Sequence, residues 1–445
     1  MAKLVENSVK TTIFKMAFPM LMGTFAMNVY HLSDTWFVSR LGTQSLAAMS
    51  FTFPVVMLIH FIARGLGMGS MTLISHAFGQ KDKSKAALLT SHAFLLAALI
   101  VVILTVFGIV YVEPLFRILG AGEDILPLIK KYMVIWYSGL IFMVIPTMSA
   151  DIIISAGDSK VTSFLMVSGS VINVILDPIF IFGLMGMPKM GISGAAIATV
   201  IGRFFTFVAA LYFLRYRHRL ISFAYLKKTA ILNSWKKILH ISIPSILSFM
   251  LIPFSQGVVT RIISGFGSAA VAAAGTAGRI EMFAFMIPMT VGMSLVPFVS
   301  QNYGAKRLDR IKEASKVTII FALAYGFFIS IVFYAIAPYL AGMFSTDPQV
   351  VKVLVKYIRI ISFGYGFMEL HRYSGCYLIG VHKPVSAAML NISRVLVFLI
   401  PLSFLGARFF GITGVFAGRL ISDVVSGSVG IIATFMVFKS FKFNS

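Results

Sequence analysis

The chain has 445 residues, 58% of them hydrophobic and 12% charged, with a formal net charge of +23 and a mean hydropathy of +0.93. A water-soluble domain is normally about a quarter charged, so nearly all of this chain is too apolar for water and reads as an all-α polytopic membrane protein. The single Cys376 excludes an intrachain disulfide framework and a thiolate metal cluster. Its basic residues fall as short clusters between apolar runs, which is the pattern of membrane topology and not of a nucleic-acid surface.

In chain order, the polar segment Met1 to Lys10 runs straight into the first apolar stretch without a small-residue cleavage site, so no removable signal peptide is expected. Apolar runs of spanning length fall at 12–38, 46–76, 87–112, 127–155, 161–187 and 191–214, and again at 238–265, 269–300, 314–340, 350–380, 385–407 and 411–438. Hydrocarbon offers no partner to unpaired backbone groups, so all twelve are expected as helices. With the N-terminus inside, 22 Lys and Arg face the cytoplasm, among them Lys3, the cluster Lys81, Lys83 and Lys85, the cluster Arg215, Arg217 and Arg219, and Lys442. Only eight face the other side, so both termini are expected to be cytoplasmic.

The halves repeat. A shift of 225 lays Phe18-Pro19 on Ile243-Pro244, Leu41-Gly42 on Phe266-Gly267, and Ser75 to Gly79 on Ser300 to Gly304. A slightly smaller shift pairs Asp177-Pro178 with Ile400-Pro401 and Gly191-Ile192-Ser193-Gly194 with Gly411-Ile412-Thr413-Gly414. Two six-helix bundles are therefore expected at 1–214 and 238–445, joined by a basic connection at 215–237. Six is even, so the repeats are parallel, a plan suited to alternating access by rocking, although duplication also occurs in channels.

Six of the fifteen acids lie well inside spans: Asp34, Asp151, Asp177, Glu281, Glu369 and Asp423. A carboxylate at the bilayer centre costs about 2.5–3.5 kcal/mol on insertion scales, so each marks either an ion or substrate path or a structural pair. Asn173 and Asp177, four apart, share one helix face. Asp34 follows Tyr30 and His31 on a helix whose Pro19 can permit a bend or merely kink a packed segment. Asp34, Asn173, Asp177 and Thr199 together offer oxygens for a Na⁺ ion, or a carboxyl that holds a proton. His31, Asp151 and Glu281 are further polar candidates for a cavity. Arg64, Arg203, Arg261, Arg279, Arg359, Arg372, Arg394 and Arg419 lie within or near spans, and most are expected to anchor helices, snorkel or line a wet cleft. Arg279 is too close in sequence to face Glu281, so each is expected to pair elsewhere. The histidines show no recurring metal spacing, and no Walker A, Rossmann or nucleophile-elbow pattern supports an ATPase or hydrolase.

These residues resemble those of the multidrug and toxic compound extrusion (MATE) transporters, in the prokaryotic DinF-like branch. The resemblance rests on Pro19 and Leu32-Ser-Asp34-Thr-Trp-Phe37, on Gly157-Asp158-Ser159-Lys160, on Asn173-Val-Ile-Leu-Asp177-Pro178 and Gly194 to Thr199, and on Gly278-Arg-Ile-Glu281 and Pro297 to Gly304. It implies a V-shaped pair of six-helix bundles in the cytoplasmic membrane, exporting small organic, often cationic amphipathic compounds in exchange for H⁺ or Na⁺. It also implies a cation site at Asp34, Asn173 and Asp177 in the first bundle, with Thr199 beside it, and matches Tyr30 and Pro19 to the first-helix aromatic and bend positions. The second half has Val259 and Ile400 where the first has Asp34 and Asp177, and Arg261 where another branch carries a seventh-helix carboxylate. No enzyme activity and no cofactor beyond the coupling ion are expected, and the expected state is a monomer in the lipid bilayer without nucleic acid. A flippase for a lipid-like or lipid-linked saccharide is the alternative within the wider superfamily, and a channel or a non-transporting scaffold the alternative outside it.

Overall fold

The computed structural model describes residues 3–222 and 227–440. Lys442, the side chain of Lys3 and part of the basic connection lie outside the described residues. Among the described residues there are helices and turns and no strand. The elements are α1 (Lys3–Glu6), α2 (Val9–Ser39), α3 (Thr43–Gly79), α4 (Lys83–Val110), α5 (Val112–Ile118), α6 (Leu126–Ser138), α7 (Ile141–Ser155), α8 (Ser159–Phe182) and α9 (Ile192–Tyr212). They continue with α10 (Lys228–Ser264), α11 (Ser268–Ala284), α12 (Met286–Gly304), α13 (Leu308–Phe344), α14 (Pro348–Ile361), α15 (Tyr365–Gly380), α16 (Pro384–Ile392) and α17 (Ile400–Ser440).

Seven helical stretches are long and apolar enough to cross a bilayer, and the bent pairs α6–α7 (51°) and α11–α12 (57°) bring the number to nine. Helix α2, the pair α14–α15, and the part of α17 beyond the non-helical Gly411 complete twelve. Local chemistry sets their ends. Asp82 caps α4 by accepting from Lys85 N at 2.8 Å, and Asp158 caps α8 by accepting from Val161 N at 3.1 Å. The apolar run that reaches Met187 outlasts its helix. Helix α8 stops at Phe182 because Gly183 turns left-handed (φ 76°), and the Gly183 and Leu184 N–H groups both return to Ile179 O.

The backbone repeats along with the sequence. Left-handed residues recur as Gly42 and Gly267, Lys81 and Lys306, and Gly157 and His382, each pair 225 apart, and as Gly191 and Gly411 at 220. The break between α6 and α7 falls at Gly139 and that between α14 and α15 at Gly364. At each, a Cβ would meet the sixth helix of the same repeat, Val200 at 2.4 Å and Leu420 at 3.1 Å respectively. The repeats differ at the second helix: α3 is continuous through His60, whereas the matching Phe285 separates α11 from α12.

The chain divides into two compact units, residues 18–246 and residues 247–445 together with 2–17. The divisions fall beside Pro19 in α2 and Pro244 in α10, the repeat-matched prolines. In the first unit α8 packs on α9 and α3 on α7, around a core that includes Phe116, Met133, Trp136 and Met148. In the second, α15 packs on α17 and α12, with Leu354, Ile358, Ile361 and Phe416 buried. Residues 2–17 are secured to the second unit by Arg310, whose Nε donates to Asn302 Oδ1 (2.9 Å) while Nη2 donates to the carbonyls of Leu4 (3.2 Å) and Asn7 (2.5 Å).

In the first unit Arg64 Nη1 pairs with Asp151 Oδ1 at 3.1 Å, and a Cβ at Gly67 would stand 2.1 Å from Asp151 Oδ2. Gly67→Ala is therefore expected to displace the buried carboxylate and cost about 1–3 kcal/mol. Thermal unfolding of the purified protein in detergent checks this, and an unchanged midpoint would contradict it.

Candidate cation site

Three helices of the first unit bring polar residues to one place, each by an i,i+4 pair: Tyr30 and Asp34 on α2, Asn173 and Asp177 on α8, Thr199 and Arg203 on α9. Small residues permit the approach of α8 to α9. Gly202 faces the Asn173 backbone, and a Cβ at Gly194 would stand 2.3 Å from Phe180 O. Pro19 lies about three turns before Tyr30 on α2, where its carbonyl accepts from Ser163 Oγ of α8 at 2.5 Å. The sequence-predicted residues Asp34, Asn173, Asp177 and Thr199 are all buried, at 6%, 4%, 0% and 6% exposure.

With its amide oriented to satisfy its neighbours, Asn173 donates from Nδ2 to Asp177 Oδ2 at 2.9 Å. Its oxygen then accepts from Thr199 N and Thr199 Oγ1, both at 3.3 Å. Asp34 and Asp177 lie within electrostatic reach of one another, and Oδ1 of each has no hydrogen-bond partner among the described residues. The phenol of Tyr30 has both acids, Arg203 and Thr199 as its electrostatic neighbours, and buried Tyr132 of α6 senses Tyr30 and both acids.

The other four intramembrane acids are each held by an arginine. Asp151 is paired with Arg64 (3.1 Å), Glu369 with Arg372 (3.0 Å), Asp423 with Arg394 (2.8 Å) and Glu281 with Arg419 (2.9 Å to each oxygen). Tyr357 adds its hydroxyl to Glu281 Oε1 at 3.1 Å and also bonds Arg419 Nη1. Asp151 and Glu281, candidates for a cavity, are thus members of ion pairs. Arg279 is exposed, and Glu281 takes its partner from α17. His31 is exposed, its ring 4.7 Å from that of Tyr30.

Asp34 and Asp177 make no ion pair among the described residues. Two carboxylates within reach of each other in an apolar bundle cannot both stay ionised cheaply, so the place favours a bound cation or a shared proton. The donor set of two orphaned carboxylate oxygens, an amide and a hydroxyl is all oxygen, which suits a hard monovalent ion. Tyr132 and Arg203 are the contributors that sequence reasoning did not single out. Arg203 was legible only as one of the intramembrane arginines, with nothing to set it apart; Tyr132 carried no signal, since only tertiary packing brings α6 here.

The family model MatE matches residues 19–179 and again 244–405, starting 225 residues apart. The chain belongs to the MatE family. A protein of Shewanella oneidensis named FAD transporter is 33% identical over 95% of this chain and 94% of its own length. The multidrug export protein MepA of Staphylococcus haemolyticus is 26% identical over 97% and 94%. Among solved structures, the Vibrio cholerae MATE transporter VcmN in the bent form superposes with a TM-score of 0.93 at 29% identity, over 97% of this chain and 98% of that one. A MOP superfamily transporter from Pyrococcus furiosus, whose report concerns a reversed polarity of its binding pocket, gives 0.90 at 25%, over 99% and 98%.

The two classes of acid should respond differently to neutralisation. Asp423→Asn strands the buried Arg394 guanidinium and is expected to cost about 3 kcal/mol, whereas Asp177→Asn breaks no ion pair and should leave the unfolding midpoint near that of the wild type. Parallel thermal melts in one detergent compare them, and equal losses would refute the distinction.

Proposed function

We propose that the chain is a secondary active antiporter that exports small organic compounds across the cytoplasmic membrane, driven by inward movement of H⁺ or Na⁺ through Asp34, Asn173, Asp177 and Thr199. The single observation that carries this reading is the contrast among the acids: four are neutralised by arginines, and the one unneutralised pair lies on the helices that converge at Asn173. Family membership over nearly the whole chain supports export, and the excess of Lys and Arg on one side supports cytoplasmic termini. In this reading the two repeats act as lobes on either side of the connection at 215–237, and the protein works as a monomer in the lipid bilayer.

The coupling follows from electrostatics. Empty, the Asp34–Asp177 pair carries unfavourable like charge in an apolar surround; a proton or Na⁺ relieves it. A cation released on the inner side leaves the pair ready for the next one, and each cycle biases α2, with Pro19 near one end, between two arrangements. The Shewanella relative named FAD transporter supports a second reading of the cargo, in which this chain also carries a flavin dinucleotide.

Export is tested in proteoliposomes under an imposed gradient. Ethidium should move uphill and stop when the gradient collapses, and Asp34→Asn and Asp177→Asn should each reduce gradient-driven movement at least tenfold while inserting normally. Full transport by either variant would remove the cation site, and purely downhill ion flux would remove the antiporter. Na⁺-driven efflux at clamped pH, set against ΔpH-driven efflux without Na⁺, identifies the ion.

A further inference from the structure

Of the two arginines well inside spans of the first unit, Arg64 is ion-paired with Asp151 and Arg203 is left over. It is half-buried at mid-length in α9, and among the described residues it has no carboxylate and no hydrogen-bond partner. Its one recorded contact is with the Tyr30 ring, whose centroid lies 5.9 Å from the guanidinium carbon. Arg203 is an electrostatic neighbour of Tyr30, His31 and His60, and among the described residues it makes no ion pair with Asp34 or Asp177. Tyr30 is a neighbour of both, with the two carboxylates in its reach as well as the guanidinium. The repeat sharpens the point. At the 220-residue shift the counterpart of Arg203 is Asp423, which is satisfied by Arg394. The second unit thus completes its charge pair at this position, and the first presents a cation alone.

A guanidinium at membrane depth without a partner is costly, and a bound anion would offset that cost. Its planar fork of donors matches the oxygens of a phosphate or carboxylate, and no carboxylate or hydrogen-bond partner among the described residues occupies it. We propose that Arg203, with His31 and His60 as electrostatic neighbours, anchors an anion subsite beside Tyr30 that takes the phosphate or carboxylate group of an organic substrate. The proposal rests on the exporter reading and names the substrate class for it: organic anions are accepted, with Arg203 the specificity-determining contact. Separate anchoring of substrate anion and coupling cation lets both be held in one lobe without a direct contest for the same charges.

The test measures binding apart from transport. Fluorescence polarisation of FAD and of riboflavin, which shares the flavin but lacks the phosphates, is read against the purified full-length protein in detergent. Wild type is expected to bind FAD at least tenfold more tightly than riboflavin. Arg203→Gln should weaken FAD at least tenfold and riboflavin less than twofold, and Arg203→Lys should recover part of the FAD affinity. The melting midpoint should shift little, since Arg203 gives up no ion pair or hydrogen bond, only its contact with the Tyr30 ring. Equal affinity of wild type for the two flavins, no FAD binding, or an Arg203→Gln variant that binds FAD as wild type does would each overturn the subsite. A free carboxylate is distinguished from phosphate by competition: displacement of FAD by pyrophosphate and not by citrate assigns phosphate, the reverse assigns carboxylate, and displacement by neither overturns the proposal. Failure of ethidium export in proteoliposomes would remove the exporter reading and leave these binding results standing.

Discussion

The cost of charge in an apolar bundle organises this protein. Six acids sit within spans where water cannot solvate them, and each must find a neutralising partner, take a proton or hold an ion. Arginines from other turns or other helices supply the partner four times, at 2.8–3.1 Å. Two of these pairs fix helix against helix, Arg64 on α3 with Asp151 on α7 and Arg419 on α17 with Glu281 on α11, whereas Glu369 and Arg372 pair within α15. Asp34 and Asp177 are the exception: they make no ion pair among the described residues, their neighbours Asn173, Thr199 and Tyr30 are neutral, and Arg203 meets the Tyr30 ring instead. A pair of buried acids that no arginine neutralises suits the uptake and release of a cation.

Duplication explains how one place could diverge. The backbone is conserved between the repeats down to single dihedrals: left-handed residues recur at the same spacings, and the breaks at Gly139 and Gly364 both lie against the sixth helix of their repeat. Turn chemistry and close helix approach depend on the backbone and on small residues, so they tolerate wide changes elsewhere. Side chains at matched positions have changed freely. Asp34 faces Val259 in the alignment, Asp177 faces Ile400, Thr199 faces Arg419 and Arg203 faces Asp423. The second unit has turned the matched face of its sixth helix into two ion pairs, whereas Thr199 and Arg203 on that face of the first make none among the described residues.

Much of this was legible along the chain. The twelve apolar runs fall on the observed helices to within a few residues at most ends, because hydrocarbon demands long uninterrupted helices. The misreadings have local causes. The fifth run continues apolar past Phe182, but Gly183 ends the helix by conformation and not by polarity. The run 127–155 is one stretch by composition and two helices by structure, because the bend at Gly139 is set by Val200 on another helix. Asp34, Asn173, Asp177 and Thr199 stood out as costly or oxygen-bearing residues, and spacing alone placed two of them on one face.

By itself, then, the sequence determined the membrane class, the helices, the duplication and a short set of buried acids, because each follows from local composition or from spacing along one helix. Which acids are neutralised, and which remain free, was decided only by the tertiary structure. Arg394 lies 29 residues from Asp423 and Arg419 lies 138 from Glu281, separations that carry no periodic signal. The same holds for Arg203, which reads along the chain like any other intramembrane arginine. Charge pairing acts through space at a few ångströms, so a residue's partner, or its lack of one, exists only once the helices have packed.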